Sequence, residues 1–177
     1  MVTSILIGII VVCGAVVLDQ ISKILMMYYL SGMPAYTKEL IPSFLSLKLT
    51  FNTGASFSMF SGRFWLLMLI TLVATFIFIY MAKYAKIKKN PVYFFGIYSM
   101  IGGMLGNFVD RAFASDKTAY FHSINAVNHG VCDFIAFDFF PAVFNVADIF
   151  LTIGVILVII DLIFLERKRE LHGNSND

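Results

Sequence analysis

The chain has 177 residues, is 59% hydrophobic and only 14% charged, and has a mean hydropathy of +0.85. A soluble domain of this length cannot cover that much apolar surface, so that class is excluded. The formal net charge of +2, with no basic patch interleaved with aromatics, gives no ground for a nucleic-acid partner.

About 20 apolar residues cross a bilayer, and four stretches reach that length. The first runs uncharged from Met1 to Leu18 and continues past Asp19 to Leu30, predicting a helix over 3–28. It lacks the basic start and the A-x-A site of a cleaved signal peptide, so it reads as a retained span. "IPSFLSLKLTFNTG" (41–54) then alternates apolar and polar residues and stops at Gly54, which predicts one or two short strands on the membrane face. The second span covers 64–84. It leads into "KYAKIKKN" (83–90), a connection with four lysines. Pro91, tolerated in a first turn, opens the third span, 91–111. Gly102 and Gly106 lie four apart there and predict close helix packing. The polar stretch 114–130 reads as a loop, and "VCDFIAFDFFPAVF" (131–144) as a turn or short helix at the interface. The fourth span, 141–165, is broken only by Asp148 and Asp161 and ends in a basic tail, 166–177. The expected architecture is a single all-α polytopic domain, 1–177, with a small extracytoplasmic β element after the first helix and an interfacial segment before the fourth.

Lysine density in 83–90, and Arg167, Lys168 and Arg169 in the tail, place both in the cytoplasm by the positive-inside rule. Four spans then put both termini inside and segments 31–63 and 112–140 outside. In that arrangement Asp19 and Lys23, Asn107, Asp110 and Arg111, and Asn145 and Asp148 all fall at the outer ends of their helices. Asp133 and Asp138 lie in the loop beside them. Asp161 is the exception, at the inner end among the tail charges. Ionisable groups converging near hydrocarbon mark a functional site by default.

Each group has a plainer role to weigh. Asp19 and Lys23, spaced i, i+4 with the acid first, suit a structural ion pair. Arg111 can pair with Asp110 or with backbone carbonyls. Asn107 and Asn145 can cross-link helices or orient a reacting carboxylate. His122 and His129 lie seven apart in a polar loop and form no zinc pattern. Cys13 and Cys132 are too separated for a disulfide, and Cys132 has no histidine to activate it, so it reads as a small apolar filler. Asp133 and Asp148 remain. Two carboxylates at close range cannot both ionise easily, so one keeps a proton while the other acts as a base. Peptide hydrolysis and proton- or ion-coupled transport both use such pairs. A transporter would continue its polar residues to the inner side, where the spans are nearly bare.

Five blocks in order, "DQISK" (19–23), "NTGASFS" (52–58), "GGMLGNFVDR" (102–111), "VCDFIAF" (131–137) and "FNVAD" (144–148), resemble the lipoprotein signal peptidases (signal peptidase II) over nearly the whole chain. The resemblance implies an aspartyl endopeptidase of the bacterial cytoplasmic (inner) membrane, with its active site at the extracytoplasmic face. The substrate it implies is a prolipoprotein whose cysteine already carries diacylglycerol, cut on the N-terminal side of that cysteine. The family's catalytic aspartates fall on Asp133 and Asp148. Its supporting residues fall on Asn52, Gly54, Asn107, Asp110, Arg111, Asn145 and Ala147, with Asp19 and Lys23 as a structural ion pair. No metal or organic cofactor is implied. The expected partners are the diacylated substrate and membrane lipid, with no nucleic acid, and the enzyme is expected to work as a monomer. The chain departs from the family pattern at Ser56, where alanine is usual, at Cys132, where valine is common, and in a longer stretch between Arg111 and Val131.

Overall fold

The structure, a computed structural model, describes residues 2–52, 64–118 and 130–166. Helix α1 is Val2–Ser31, α2 is Phe64–Ala82, α3 is Pro91–Thr118 and α4 is Val146–Ile160, which a π-helical segment, Asp161–Glu166, extends. All four are long and apolar enough to cross a membrane once that extension is counted. Strands β1 (Thr37–Ile41), β2 (Leu45–Asn52), β3 (Val131–Phe137) and β4 (Val143–Phe144) form one antiparallel sheet in that order.

Helix α3 is the axis of the bundle. Of its most apolar window 67% is buried, against 17%, 11% and 11% for the other three, and it packs on each of them. Lipid offers no hydrophobic drive to bring helices together, so association depends on close packing at small residues. Between α3 and α4 that approach is backbone to backbone. A Cβ on Gly103 would lie 2.9 Å from the Leu151 nitrogen, and one on Gly154 would lie 2.9 Å from that of Met100. The predicted pair Gly102 and Gly106 serves two neighbours. A Cβ on Gly102 would meet Ala15 of α1 at 2.6 Å, while one on Gly106 would meet the Asp19 carboxylate at 2.7 Å. Gly106 therefore makes room for a charged group, which is more than the pure packing expected of it.

The fold is mostly helical as expected, but its sheet is larger than the small β element anticipated. The β element after α1 is present as the β1–β2 hairpin, and the expected turn or short helix over 131–144 is instead the third and fourth strands. Residues Val131 to Phe134 are all buried, so "VCDFIAF" shows no polar alternation to mark it as a strand. Pairing with β2 gives its backbone N–H and C=O groups the partners that burial demands. A register shift in β2 between Leu47 and Thr50, opposite this strand, sets Thr50 directly across from Asp133.

Two helix ends also differ from expectation. Helix α4 begins at Val146 rather than 141, because Asn145 is an N-cap in extended backbone (φ −134, ψ −177) with its side chain accepting from the Asp148 N–H. Helix α3 runs past 111 to Thr118, with a non-helical break at Phe113 (φ −124, ψ 15). Gly54 and Ser56, His122 and His129, most of the long stretch before Val131, and the basic tail from Arg167 lie outside the described residues.

Candidate active site

Lysine and carboxylates come first, because a buried ammonium must find three acceptors. The Lys23 Nζ donates to Asp19 Oδ2 and Asp110 Oδ2, each at 2.8 Å, and to Asn107 Oδ1 at 3.0 Å. Lys23 and Asp19 are both fully buried. The local i, i+4 pair is thus as predicted, and α3 completes it. Asp19 reaches further: its Oδ1 accepts from the Ala147 N–H at 2.9 Å, tying α1 to the first turn of α4. Asp110 accepts from the Cys132 N–H at 3.2 Å, tying α3 to β3. One charged cluster therefore pins four elements.

Asn107 carries the network toward the second pair of acids. Its Oδ1 accepts hydrogen bonds from Lys23 Nζ and Asn145 Nδ2, which leaves its Nδ2 to donate to Asp148 Oδ1 at 2.9 Å. Asp148 closes a reciprocal cap with Asn145. The Asn145 backbone N–H donates to Asp148 Oδ2 at 3.1 Å, and the Asp148 N–H donates to Asn145 Oδ1 at 3.0 Å. Asn145 Nδ2 also donates to Asp133 Oδ1 at 2.6 Å. A single asparagine thus touches both carboxylates, which come from β3 and from the first turn of α4. Asn52 lies two residues along β2 from Thr50, on the same face of the sheet as Asp133, and hydrogen-bonds the Asp133 carboxylate. Arg111 lies within electrostatic range of Asp133, Asp148 and Asp110.

Asp133 is 3% exposed. Burial first, and the Asp148 charge second, push its carboxyl up from 3.8 to about 7, against the opposing hydrogen bonds from Asn145 and Asn52. Asp133 can therefore take up or release a proton near neutral pH. Burial also pushes the Cys132 thiol up, and Cys132 packs with Met27, Leu30, Leu49 and Phe134, consistent with an apolar filler.

The structure brings together Asp19, Lys23, Asn52, Asn107, Asp110, Arg111, Asp133, Asn145, Ala147 and Asp148. Ala147 contributes its N–H and its small size: it is fully buried, and its Cβ would lie 3.1 Å from a Cβ on Gly106. Asp138 stays outside. It is exposed and accepts from the Ser46 hydroxyl at 3.2 Å, fastening the start of β2. Asp161, expected among the tail charges, is instead 1% exposed at the far end of the bundle, within electrostatic range of Tyr93. Sequence reasoning missed Gln20, whose Nε2 donates to Asp19 Oδ2 (3.0 Å), to the Gly106 carbonyl (3.1 Å) and to Asp110 Oδ1 (3.1 Å). Its signal was its place within "DQISK", one residue past a buried acid.

This arrangement has relatives. The family model described as Signal peptidase (SPase) II matches residues 10–164. A lipoprotein signal peptidase of Caldanaerobacter subterraneus subsp. tengcongensis is 35% identical over 151 residues, covering 85% of this chain and 92% of the relative. Another, from Enterococcus faecalis, is 36% identical over 160 residues, covering 89% and 88%. A bacterial membrane enzyme solved by the in meso method at 1.9 Å superposes with a TM-score of 0.69 at 28% identity, covering 89% of this chain and 92% of that one. With its apolar spans, its charged cluster and its paired carboxylates, the chain belongs to the signal peptidase II family.

Proposed function

We propose that the chain is a bacterial multi-pass membrane endopeptidase that removes signal peptides from prolipoproteins, with Asp133 and Asp148 as its catalytic pair. One observation carries the reading: Asn145 hydrogen-bonds both carboxylates at once, holding two acids from different elements against a shared space. A water between them gives a proton to the ionised acid and attacks the scissile carbonyl. The protonated acid stabilises the developing oxyanion and later protonates the leaving amine. Because the two acids interact, the proton belongs to the pair rather than to either residue. Asn107 and Asn145 fix the carboxylate orientations, and the Lys23 cluster fixes the helices that carry them.

The substrate reading is a prolipoprotein whose cysteine carries diacylglycerol, cut on that cysteine's N-terminal side. The pair lies at the helix ends opposite the lysine-rich connection, where an acyl-anchored substrate presents its cleavage point. By the positive-inside rule that end faces away from the cytoplasm. A transporter reading finds no support among the relatives, which are peptidases by name.

The test is incubation of the purified chain with a diacylated prolipoprotein and with its unlipidated form, read by gel shift and by mass of the released peptide. Cleavage of the first alone, immediately before the cysteine, is the expected result; equal cleavage of both would sink the lipid requirement. For orientation, single cysteines at Lys86 and at Phe139, in a background without Cys13 and Cys132, should differ in labelling of intact cells. Labelling at 86 and not at 139 would reverse the topology.

A further inference from the structure

Toward the end of the bundle away from the carboxylates lie two hollows. The larger, about 440 Å³, is apolar and is lined by Ile5, Ile9 and Val12 of α1, Ile79 of α2, and Tyr98 and Ile101 of α3, with Lys83 at its edge. The smaller, about 280 Å³, is lined by Thr3, Ser4, Lys86, Lys88 and Lys89. Their linings are consecutive on α1, where Ser4 precedes Ile5, and both draw on residues 82–89.

The polar hollow is built, not incidental. The 83–90 connection has four lysines and no acid. It is folded into a turn by the Lys89 N–H donating to the Lys86 carbonyl at 3.0 Å, and by Asn90, which accepts from the Lys86 N–H at 2.7 Å and donates to the Tyr84 carbonyl at 3.1 Å. Lys83 is positioned separately, with its ammonium 3.4 Å from the centre of the Tyr80 ring and 4.8 Å from that of Tyr84.

We infer that these hollows form a binding site for one anionic phospholipid, with an acyl chain in the groove between α1 and α2 and the headgroup phosphate on Lys86, Lys88, Lys89 and the hydroxyls of Thr3 and Ser4. The pairing of an apolar groove with a lysine-lined mouth selects an amphiphile whose polar end is anionic, and basic pockets between helices recognise such headgroups. A free phosphate would leave the groove unfilled. A signal peptide begins with a positively charged region, which four lysines repel, so the site is not a second seat for the substrate. Helices α1 and α2 each pack on α3, and the acyl chain fills the space between them. The bound lipid therefore steadies α1, the helix that carries Asp19 and Lys23.

The full chain, purified in neutral detergent and stripped of lipid, is titrated with dioleoylphosphatidylglycerol, with dioleoylphosphatidylcholine and with inorganic phosphate. Bound mass is read by native mass spectrometry, and the thermal midpoint is followed in parallel. One phosphatidylglycerol per chain should be retained at least about tenfold more tightly than phosphatidylcholine, and should raise the midpoint. The triple variant Lys86→Gln, Lys88→Gln, Lys89→Gln should lose that preference while keeping its far-ultraviolet circular dichroism. Ile9→Phe, which fills the groove, should weaken retention of both lipids. Equal retention of the two lipids by the unaltered chain, the same effect from inorganic phosphate, or an undiminished preference in the triple variant would overturn the site. Cleavage is not the readout, so the outcome stands apart from the peptidase reading.

Discussion

The four carboxylates at the head of the bundle are held in two different ways. Asp19 and Asp110 share the Lys23 ammonium at 2.8 Å and receive further N–H groups from Gln20, Ala147 and Cys132. Asp133 and Asp148 rest on amides: the side chains of Asn145, Asn107 and Asn52, and the backbone N–H of Asn145. The difference is chemical. An ammonium compensates the charge of the buried carboxylates it touches, so the first pair serves as an anchor between helices. An amide orients a carboxylate without supplying a full charge, and burial pushes the Asp133 carboxyl up to about 7. Asn107 joins the two regimes, accepting from Lys23 on one side and donating to Asp148 on the other. On the proposed mechanism, standing firm and moving a proton fall to adjacent pairs of acids.

That contrast breaks most sharply at the second pair. Asp133→Asn and Asp148→Asn each keep volume and remove the proton chemistry, so each should lower the cleavage rate by at least about a thousandfold. The double variant should be hardly slower than either single one, because groups acting as a unit are non-additive. Thermal melts in detergent should show both variants folded. Near-normal turnover by either single variant would refute the catalytic pair.

The first pair should respond in the opposite manner. Lys23→Ala leaves Asp19 and Asp110 buried without their cation, a loss of about 3–5 kcal/mol in stability. The thermal midpoint should fall steeply, and activity per folded molecule should fall less than in the Asp133 variant. An unchanged midpoint with complete loss of cleavage would move Lys23 into the chemistry and erase the distinction.

Asn145 tests the junction. Asn145→Ala removes an N-cap and both bridging hydrogen bonds from Nδ2, and should lower cleavage by about 10–100-fold while costing about 1 kcal/mol of stability. Because the Asn145 hydrogen bond opposes the rise of the Asp133 carboxyl, its loss should move the pH profile of cleavage upward. The last effect is in pH-dependent stability. The Asp133 carboxyl binds its proton more tightly folded than unfolded, about 7 against 3.8. Its stabilising contribution is therefore complete below about 3.8 and is lost as pH rises through about 7. The midpoint of the unaltered chain should drop between pH 5.5 and 8 by an amount equivalent to roughly 1–3 kcal/mol, and that of Asp133→Asn should be flatter. Cleavage should likewise decline above about 7 as the pair gives up its last proton.

Much of this was legible in advance where the cause is local. Asp19 and Lys23 face one another because four residues make nearly a helical turn, and Pro91 opens α3 because its missing N–H is not needed there. The gathering of polar residues at one end followed from span length and alternating direction. Local spacing could not reveal the third partner of Lys23, Asp110, or the tie between Asp19 and the Ala147 N–H, 128 positions along the chain. Nor did it reveal Gln20, whose long side chain could as well have faced lipid.

The sequence by itself determined the membrane class, the four spans and the presence of paired acids, because apolar length and charge placement act through the chain's immediate neighbours and the surrounding solvent. Only the tertiary structure decided that residues 131–137 are a strand, that Asp161 is buried, and that Asn145 stands between Asp133 and Asp148. A run buried on both faces carries no periodicity to read. A side chain's final partner depends on how closely two backbones approach, and here that distance is set by glycines on α3 and α4.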